Sequence, residues 1–574
     1  GADVSPTPAA SPIRLRQGRR GIHVDTGVMR VTFPADRLVL PGCVEVTDGD
    51  GTWRTVTGEG TTAAVSLLDG VGKVYESDRP EALVVENSGP GRVCIRAEVV
   101  HRARGGKSLF RSIFRFHLFA GLPLVRCLHT FENDNTEAPF TTIRSLRLHT
   151  EVCTGAGATA SFDGLQAQRL GTGRVRLEQL QDDAWTLKRS RRALAAGQHA
   201  TGSVALRGAT GGVLFAARDF WQNYPSAIAA DDTGISYEVC PELPGKLYPN
   251  QGELEDRLFF WYDGDGGYRI KQGMAKTHEF CFDFAPGKAA DEAFAANVQS
   301  PPLYSVGRET FNDSQVLTQL PGKDPSPFPP YERWVDGALQ AYAADRVESR
   351  AWGLFNFGDW FGERTYNWGN MEYDTPWCYL QEYLRGGDAA FYTWAEEAAR
   401  HLVDVDTCHH GGSLQDQQYL HSIGHVGDYY PEGYRPRSIC GARSSVSHTW
   451  VEGLFLHALL SGDIRSREAA EAASANLVGA VLNDYDFSNC RNSGWHLIHL
   501  SAAYRATGRR VFLNAAKIIV ERVLERQRDT GGWDRLMVPG HCFCDPPRHT
   551  GNAGFMVGIL MVGLKRYHEA TAEQ

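Results

Sequence analysis

No apolar run in this 574-residue chain reaches the ~20 residues that a bilayer-spanning helix needs, so no membrane partner is expected. Lysine is scarce: of 59 basic residues 10 are lysine and 49 arginine. No basic stripe stands out, and a net charge of −9 is mild at this length, so nucleic acid is not an expected partner. The 12 cysteines show no CxxC pairing, which argues against a zinc ribbon. They leave both disulfides and buried thiols open. The most closely spaced pair, in "HCFCDPPRH" (541–549), reads as a structural loop. Neither a P-loop nor a GxSxG element occurs, which excludes those NTPase and serine-hydrolase classes. The chain begins Gly-Ala-Asp rather than with Met, and a loose "VSPTPAASP" follows. That is expected of a trimmed terminus whose signal peptide has been removed, and hence of a secreted protein.

What is abundant is apolar and aromatic. At 42% hydrophobic residues the chain can fill large cores, and its 13 Trp and 21 Tyr could serve as stacking platforms for sugar rings. Arginine is the better fork for a carboxylate. The expected fold class is multidomain β + α. Residues 1–12 read as a tail, 13–118 as a small barrel-like β domain and 119–298 as a β-sandwich. A Pro-rich linker is expected over 299–330 and an α/α toroid over 331–574.

The β half rests on short runs such as "GIHVDTGVMRVTF" and "RVCIRAEVVHRA", in which β-branched and polar residues alternate. The helical half rests on a weak repeat in segments 383–404, 459–481 and 504–525. Each copy ends a helix, turns at Gly386–Gly387, Gly462 or Gly508, and starts an Ala-rich helix. An aspartate after the glycine in the first two copies can cap the next helix.

Long polar-aromatic segments interrupt the hairpins at 352–377, 406–450 and 484–496. Such loops are uncommon in a compact domain unless they are functional. The first carries "NWGNMEYD", with Trp368, Asn370, Glu372, Tyr373 and Asp374, as well as Asp359. Amides, a phenol and carboxylates suit sugar hydroxyls, and Glu372 with Asp374 could form a glycosidase pair. Asn370 and Asp374 equally suit helix caps. The second carries "DVDTCHH", then His425, Tyr429, Tyr430, Arg437, Arg443 and His448. His409 and His410 are expected to face substrate. Asp404, Asp406 and His409, with His425, are of metal-ligand type but follow no specific spacing, and helix-end roles for the aspartates compete. Histidine, tyrosine and arginine together supply what elimination across a uronate requires: a base, a proton donor and a carboxylate clamp.

The motifs "FGDW" (357–360), "NWGNMEYD" (367–374), "ARHLVDVDTCHH" (399–410), "GHVGDYY" (424–430) and "SHTWVEGL" (447–454) resemble the exo-acting rhamnogalacturonan lyases of polysaccharide lyase family 26 and their bacterial relatives. "FAGLPLVRCLHTFEND" (119–134) extends the resemblance into the β half. The resemblance implies β-elimination at a galacturonate whose O4 carries rhamnose, in an acidic plant-type polysaccharide. On the matching positions it implies His425 and His448 as acid/base residues, with Tyr430 as an alternative. Arg437 or Arg443, with Asn370, would hold the carboxylate. No cofactor is required, although a divalent cation is possible. The alternatives are a rhamnosyl-glucuronate lyase on arabinogalactan side chains, a hydrolase using Glu372 and Asp374, and a non-catalytic carbohydrate-binding protein.

Overall fold

A computed structural model describes the chain except residues 1–11, 48–50, 59, 172, 250–251, 286–289, 304–306, 315–319, 364–365, 436–443, 484, 538–541, 543 and 573–574. The chain divides into a β unit, residues 1–302 with Trp352–Phe357, and a helical unit formed by the rest.

Residues 14–55 of the β unit form a five-stranded antiparallel sheet in sequential order. A second, larger antiparallel system runs from Val65–Asp69 to Ala275–Asp283, and its pairing returns on itself. The boundary expected at 118/119 falls inside the first strand of a hairpin, at its last residue. Ser108–Phe119 pairs with Leu124–Glu132, Leu118 opposite Val125. The strand "SLFRSIFRFHLF" is buried at nearly every position. It therefore needs neighbours at both edges and cover on both faces, so segment 65–118 joins the strands beyond 124 rather than residues 14–55. Among the described residues of this unit are two helices, α1 (Glu253–Leu258) and α2 (Ala290–Gln299).

Trp352–Phe357 also packs here, which corrects its expected place in a rim loop of the helical half. Leu354 N donates to Tyr224 O at 2.8 Å, and Asn356 Nδ2 to Leu258 O at 3.0 Å. Phe355 meets Phe131 edge-on.

The helical unit carries α3 (Arg308–Asp313), inside the expected linker, and α4 (Pro329–Glu348). Three hairpins follow: α5 (Thr375–Gly386) with α6 (Ala389–His401), α7 (Glu452–Ser461) with α8 (Ile464–Asn483), and α9 (Cys490–Thr507) with α10 (Arg510–Glu525). The last helix is α11 (Gly554–Ala572). α5, α7, α9 and α11 touch in succession as one layer, and α8 packs on α10 in the other.

The turn chemistry is as the repeat predicts. Gly387, Gly462 and Gly508 take φ of 76°, 73° and 68°. Asp388 caps α6 by accepting from Ala390 N at 2.9 Å. Among the described cysteines Cys542 and Cys544 are disulfide-linked and the others carry thiols.

α9 and α11 cross with almost no space between their backbones. A Cβ on Gly494 would stand 2.5 Å from Ile559 C and 2.6 Å from Leu560 N. Backbone cannot move aside as a side chain can. Gly494→Ala is therefore expected to cost about 1–3 kcal/mol by overpacking, seen as a lower denaturation midpoint at unchanged slope.

Candidate active site

The site begins where α6 ends. At His401 the helix widens into a π turn, Leu402–Asp406, a feature frequent at functional sites. The widening separates the two aspartates of "DVD". Asp404 turns to Arg465, whose Nε donates to Oδ1 at 2.7 Å. Asp406 points instead into a sealed cluster with Asp359, His401 and His425, all 0–1% exposed. His401 Nε2 lies 3.2 Å from His425 Nδ1 and 3.4 Å from Asp406 Oδ1. His425 Nδ1 lies 3.4 Å from Asp359 Oδ2.

Asp359 links this cluster to the next segment. Its Oδ2 accepts from Asn370 N at 2.9 Å, and its Oδ1 from Trp360 N at 2.8 Å. Asn370, Met371, Tyr373 and Asp374 have φ of 47°, 52°, 64° and 60°, and His425 has 58°. Left-handed backbone at non-glycine residues is costly, and a run of it persists only where the surroundings enforce it. Three anchors do so. Trp450 Nε1 donates to Asn370 O at 3.0 Å, and Gly453 N donates to Asp374 Oδ2 at 3.1 Å. Asp374 also caps α5.

Glu372, the residue between these anchors, carries a second, less enclosed cluster. His421 Nδ1 donates to Glu372 Oε2 at 3.0 Å. Arg491 Nη2 donates to Glu372 Oε1 at 2.9 Å and stands 3.2 Å from His448 Nε2, which is 3.4 Å from the same oxygen. His448 Nδ1 pairs with Ser447 Oγ at 3.1 Å. Beside the cluster, Ser447 and Arg491 line a cavity of about 180 Å³ together with Asn489, Arg535 and Asn552. Tyr373 is 45% exposed, with the Arg491 guanidinium 5.7 Å from its ring centre.

The carboxyls differ sharply. Burial alone would raise Glu372, but hydrogen bonds from His421 and His448 outweigh it and hold the group well below the usual carboxylate range. Asp374 is pushed up to about 6 by burial, against the backbone donors that it accepts. Asp406 is pushed up to about 7 by burial and by the neighbouring Asp359 charge, despite His425. Burial and the Arg491 charge keep His448 below the ordinary histidine value, although Glu372 pulls the other way.

The expected residues separate into distinct groups. Glu372, Tyr373 and His448 come together at the cavity side. His425 and Asp359 belong to the sealed cluster, and Trp368 is buried with its ring 5.0 Å from that of His425. Asn370 and Asp374 are buried: Asn370 is held through its backbone N and O by Asp359 and Trp450, with its side chain toward Asp406, and Asp374 accepts from the backbone of Trp377 and Gly453. That leaves Glu372 without Asp374 as a second accessible carboxylate. The expected metal set is split, since Asp404 and His409 both bind Arg465 while Asp406 does not. His409 also contacts Val403 O at 2.7 Å. His410 is partly exposed, its carbonyl facing Cys408 Sγ. Tyr429 and Tyr430 pack on Tyr419 and Tyr434 respectively. Arg437 and Arg443 lie outside the described residues.

Three members of the clusters were not singled out as site residues from the sequence: His401, His421 and Arg491. His421 had a signal, standing four residues before His425 in "HSIGH". Arg491 lies in the third irregular segment, where nothing in the spacing marks it. His401 sits inside an ordinary helical pattern.

Residues 173–236 match the family described as the PcRGLX-like protein central beta sandwich domain. The chain is 28% identical over 248 residues to YetA of Bacillus subtilis (strain 168), described as uncharacterized, covering 38% of this chain and 28% of that protein's length. The chain thus spans well under half of the curated relative that it matches. Among solved structures, a galactose mutarotase related enzyme from Lactobacillus acidophilus is 12% identical, with a TM-score of 0.25, over 48% of this chain and 97% of that one. A TPR-domain containing protein from Parabacteroides distasonis is 8% identical, with a TM-score of 0.28, over 88% of this chain and 80% of that one. At those scores neither structural likeness carries an argument. What the comparisons support is a coarse kinship, through the sandwich segment, to the PcRGLX-like proteins.

Proposed function

We propose that this chain is a secreted, exo-acting polysaccharide lyase that cuts a rhamnose- and uronate-containing glycan of rhamnogalacturonan type by β-elimination. The observation that carries the reading is the Glu372–His421–His448–Arg491 cluster beside a cavity bearing a second guanidinium, Arg535. The motif resemblance and the sandwich match point the same way.

Arg491 and Arg535 hold the uronate carboxylate, each with N–H donors beyond the one that meets its acidic partner, Glu372 or Asp486. Their charge lowers the energy of the enolate-like intermediate formed when C5 loses its proton. His448, kept neutral by burial and Arg491, takes that proton. The electron pair forms the C4=C5 bond as the C4–O4 bond breaks. The Tyr373 hydroxyl delivers a proton to the departing oxygen. Glu372 orients both imidazoles, as a carboxylate behind a histidine fixes its tautomer. No cofactor acts on the reacting atoms in this scheme.

Incubation with rhamnogalacturonan oligosaccharides is expected to raise ultraviolet absorbance from the new double bond. Hydrated products without that absorbance would replace the lyase reading with a hydrolase. Turnover confined to arabinogalactan side chains would move the substrate to rhamnosyl-glucuronate.

His448→Ala is expected to lower kcat/KM by about 10²-fold or more, the usual range for a lost general base. The pH profile tests the same assignment. A base with a lowered pKa stays neutral to lower pH, so the acidic limb of kcat/KM is expected below the ordinary histidine value of about 6.5. Glu372→Gln removes the group that raises His448, so the limb is expected to move further toward acid in the residual activity. A limb that rises toward neutral pH would assign the base elsewhere.

A further inference from the structure

The sealed cluster plays no part in the proposed elimination, yet its chemistry is unusual for a protein core. Two carboxylates and two imidazoles, all 0–1% exposed, converge from three chain segments. Asp359 comes from the segment before "NWGN", His401 and Asp406 from the end of α6 and its π turn, and His425 from a tight turn. Both oxygens of the Asp406 carboxylate are buried without a hydrogen bond of ordinary geometry. A buried carboxylate lacking such a bond normally implies a partner of another kind.

We propose that Asp359, His401, Asp406 and His425 together bind one divalent cation of the zinc class. Four ligand atoms at ~2.0–2.1 Å from a tetrahedral centre stand about 3.3–3.4 Å from one another. The separations here are 3.2 Å for His401 Nε2 to His425 Nδ1, 3.4 Å for His401 Nε2 to Asp406 Oδ1, and 3.4 Å for His425 Nδ1 to Asp359 Oδ2. The next two are 3.6 Å for His425 Nδ1 to Asp406 Oδ1 and 4.0 Å for His401 Nε2 to Asp359 Oδ2. Asp359, His401 and His425 thus offer three ligand atoms within 4.8 Å of one another, and Asp406 Oδ1 approaches both imidazoles from the other side as a fourth.

Charge balance agrees: two ionised carboxylates and two neutral imidazoles require two positive charges. Imidazole nitrogen with carboxylate oxygen in four-fold geometry suits zinc ahead of calcium or magnesium. The outer surroundings are those of a held metal ligand, because Asp359 is fixed by Asn370 N and Trp360 N, and the Trp368 ring covers His425.

The cation's role is positioning. It ties the end of α6 and the His425 turn to Asp359, whose bond to Asn370 anchors the strained run that presents Glu372. The separate group Cys542, Cys544 and His549 also has metal-ligand types, but its two sulfurs are joined as a disulfide here.

The test is metal content on the full chain, exposed to zinc, dialysed and shown to be folded by circular dichroism. About one equivalent of zinc per chain is expected, falling to background in His401→Ala and Asp406→Asn and retained in Cys542→Ser. Chelated wild-type protein titrated with Co²⁺ is expected to show the visible bands of four-coordinate cobalt without a thiolate charge-transfer band. Folded wild-type protein holding under about a tenth of an equivalent of any divalent ion would overturn the proposal, whatever the variants do. So would metal lost in Cys542→Ser and kept in His401→Ala. Because the readout is bound metal, failure here and failure of the lyase reading are separate results.

Discussion

Burying two carboxylates, Asp359 and Asp406, is the constraint that organises the helical unit around its candidate site. An ionised group removed from water costs several kcal/mol unless something opposite in charge, or a full set of donors, replaces the solvent. The chain meets that demand with His401, His425 and the backbone of the 370 region. Several features that look unrelated follow from it. α6 ends where His401 must face inward, and it ends by widening, so that Asp406 turns in while Asp404 turns out to Arg465. His425 accepts a left-handed backbone to bring its ring over the same spot. Asn370 is drawn in by Asp359, and the strained residues after it carry Glu372 to the second cluster.

The two clusters differ in kind. In the inner one burial and the Asp359 charge raise Asp406, whereas His425, His401 and the Asn370 N–H outweigh burial and hold Asp359 low. In the outer one Glu372 gains more from two imidazoles and a guanidinium than it loses by desolvation. Asp374 shows a third outcome: burial against backbone N–H groups alone leaves it raised. One functional group in three surroundings gives a support, a buried ligand type and an orienting anion. That division of labour is what a site needs when geometry must be held by one set of residues and proton transfer performed by another.

Much of the fold was legible because it rests on local rules. Period-two alternation marked the strands, and a glycine followed by aspartate marked the helix turns at Gly387 and Gly462, where φ is positive and the aspartate caps. The β division was less legible. Ser108–Phe119 looks like any apolar strand, and only its partners show that it sits inside one sheet system with both neighbours paired. In the site, Glu372 and His448 could be picked out because they lie in long polar loops rich in aromatic residues. His401 could not, since a histidine at the end of an amphipathic helix has the same pattern whether it faces a core or a carboxylate. Arg491 was hidden for a related reason. It stands 119 residues from Glu372, and no spacing rule reaches that far.

By itself the sequence determined the β-then-helical order, the hairpin turns and the loops that hold the chemistry. These depend on propensities and periodicities that act within a few residues. Only the tertiary structure decided which residues of those loops meet. It paired Asp406 with His425 rather than with Asp404 and His409. It made Asp374 a buried cap rather than a second acid, and it brought Arg491 to the carboxylate of Glu372. Burial and charge compensation act between side chains that are neighbours in space, and neighbours in space are fixed only once the whole chain has packed.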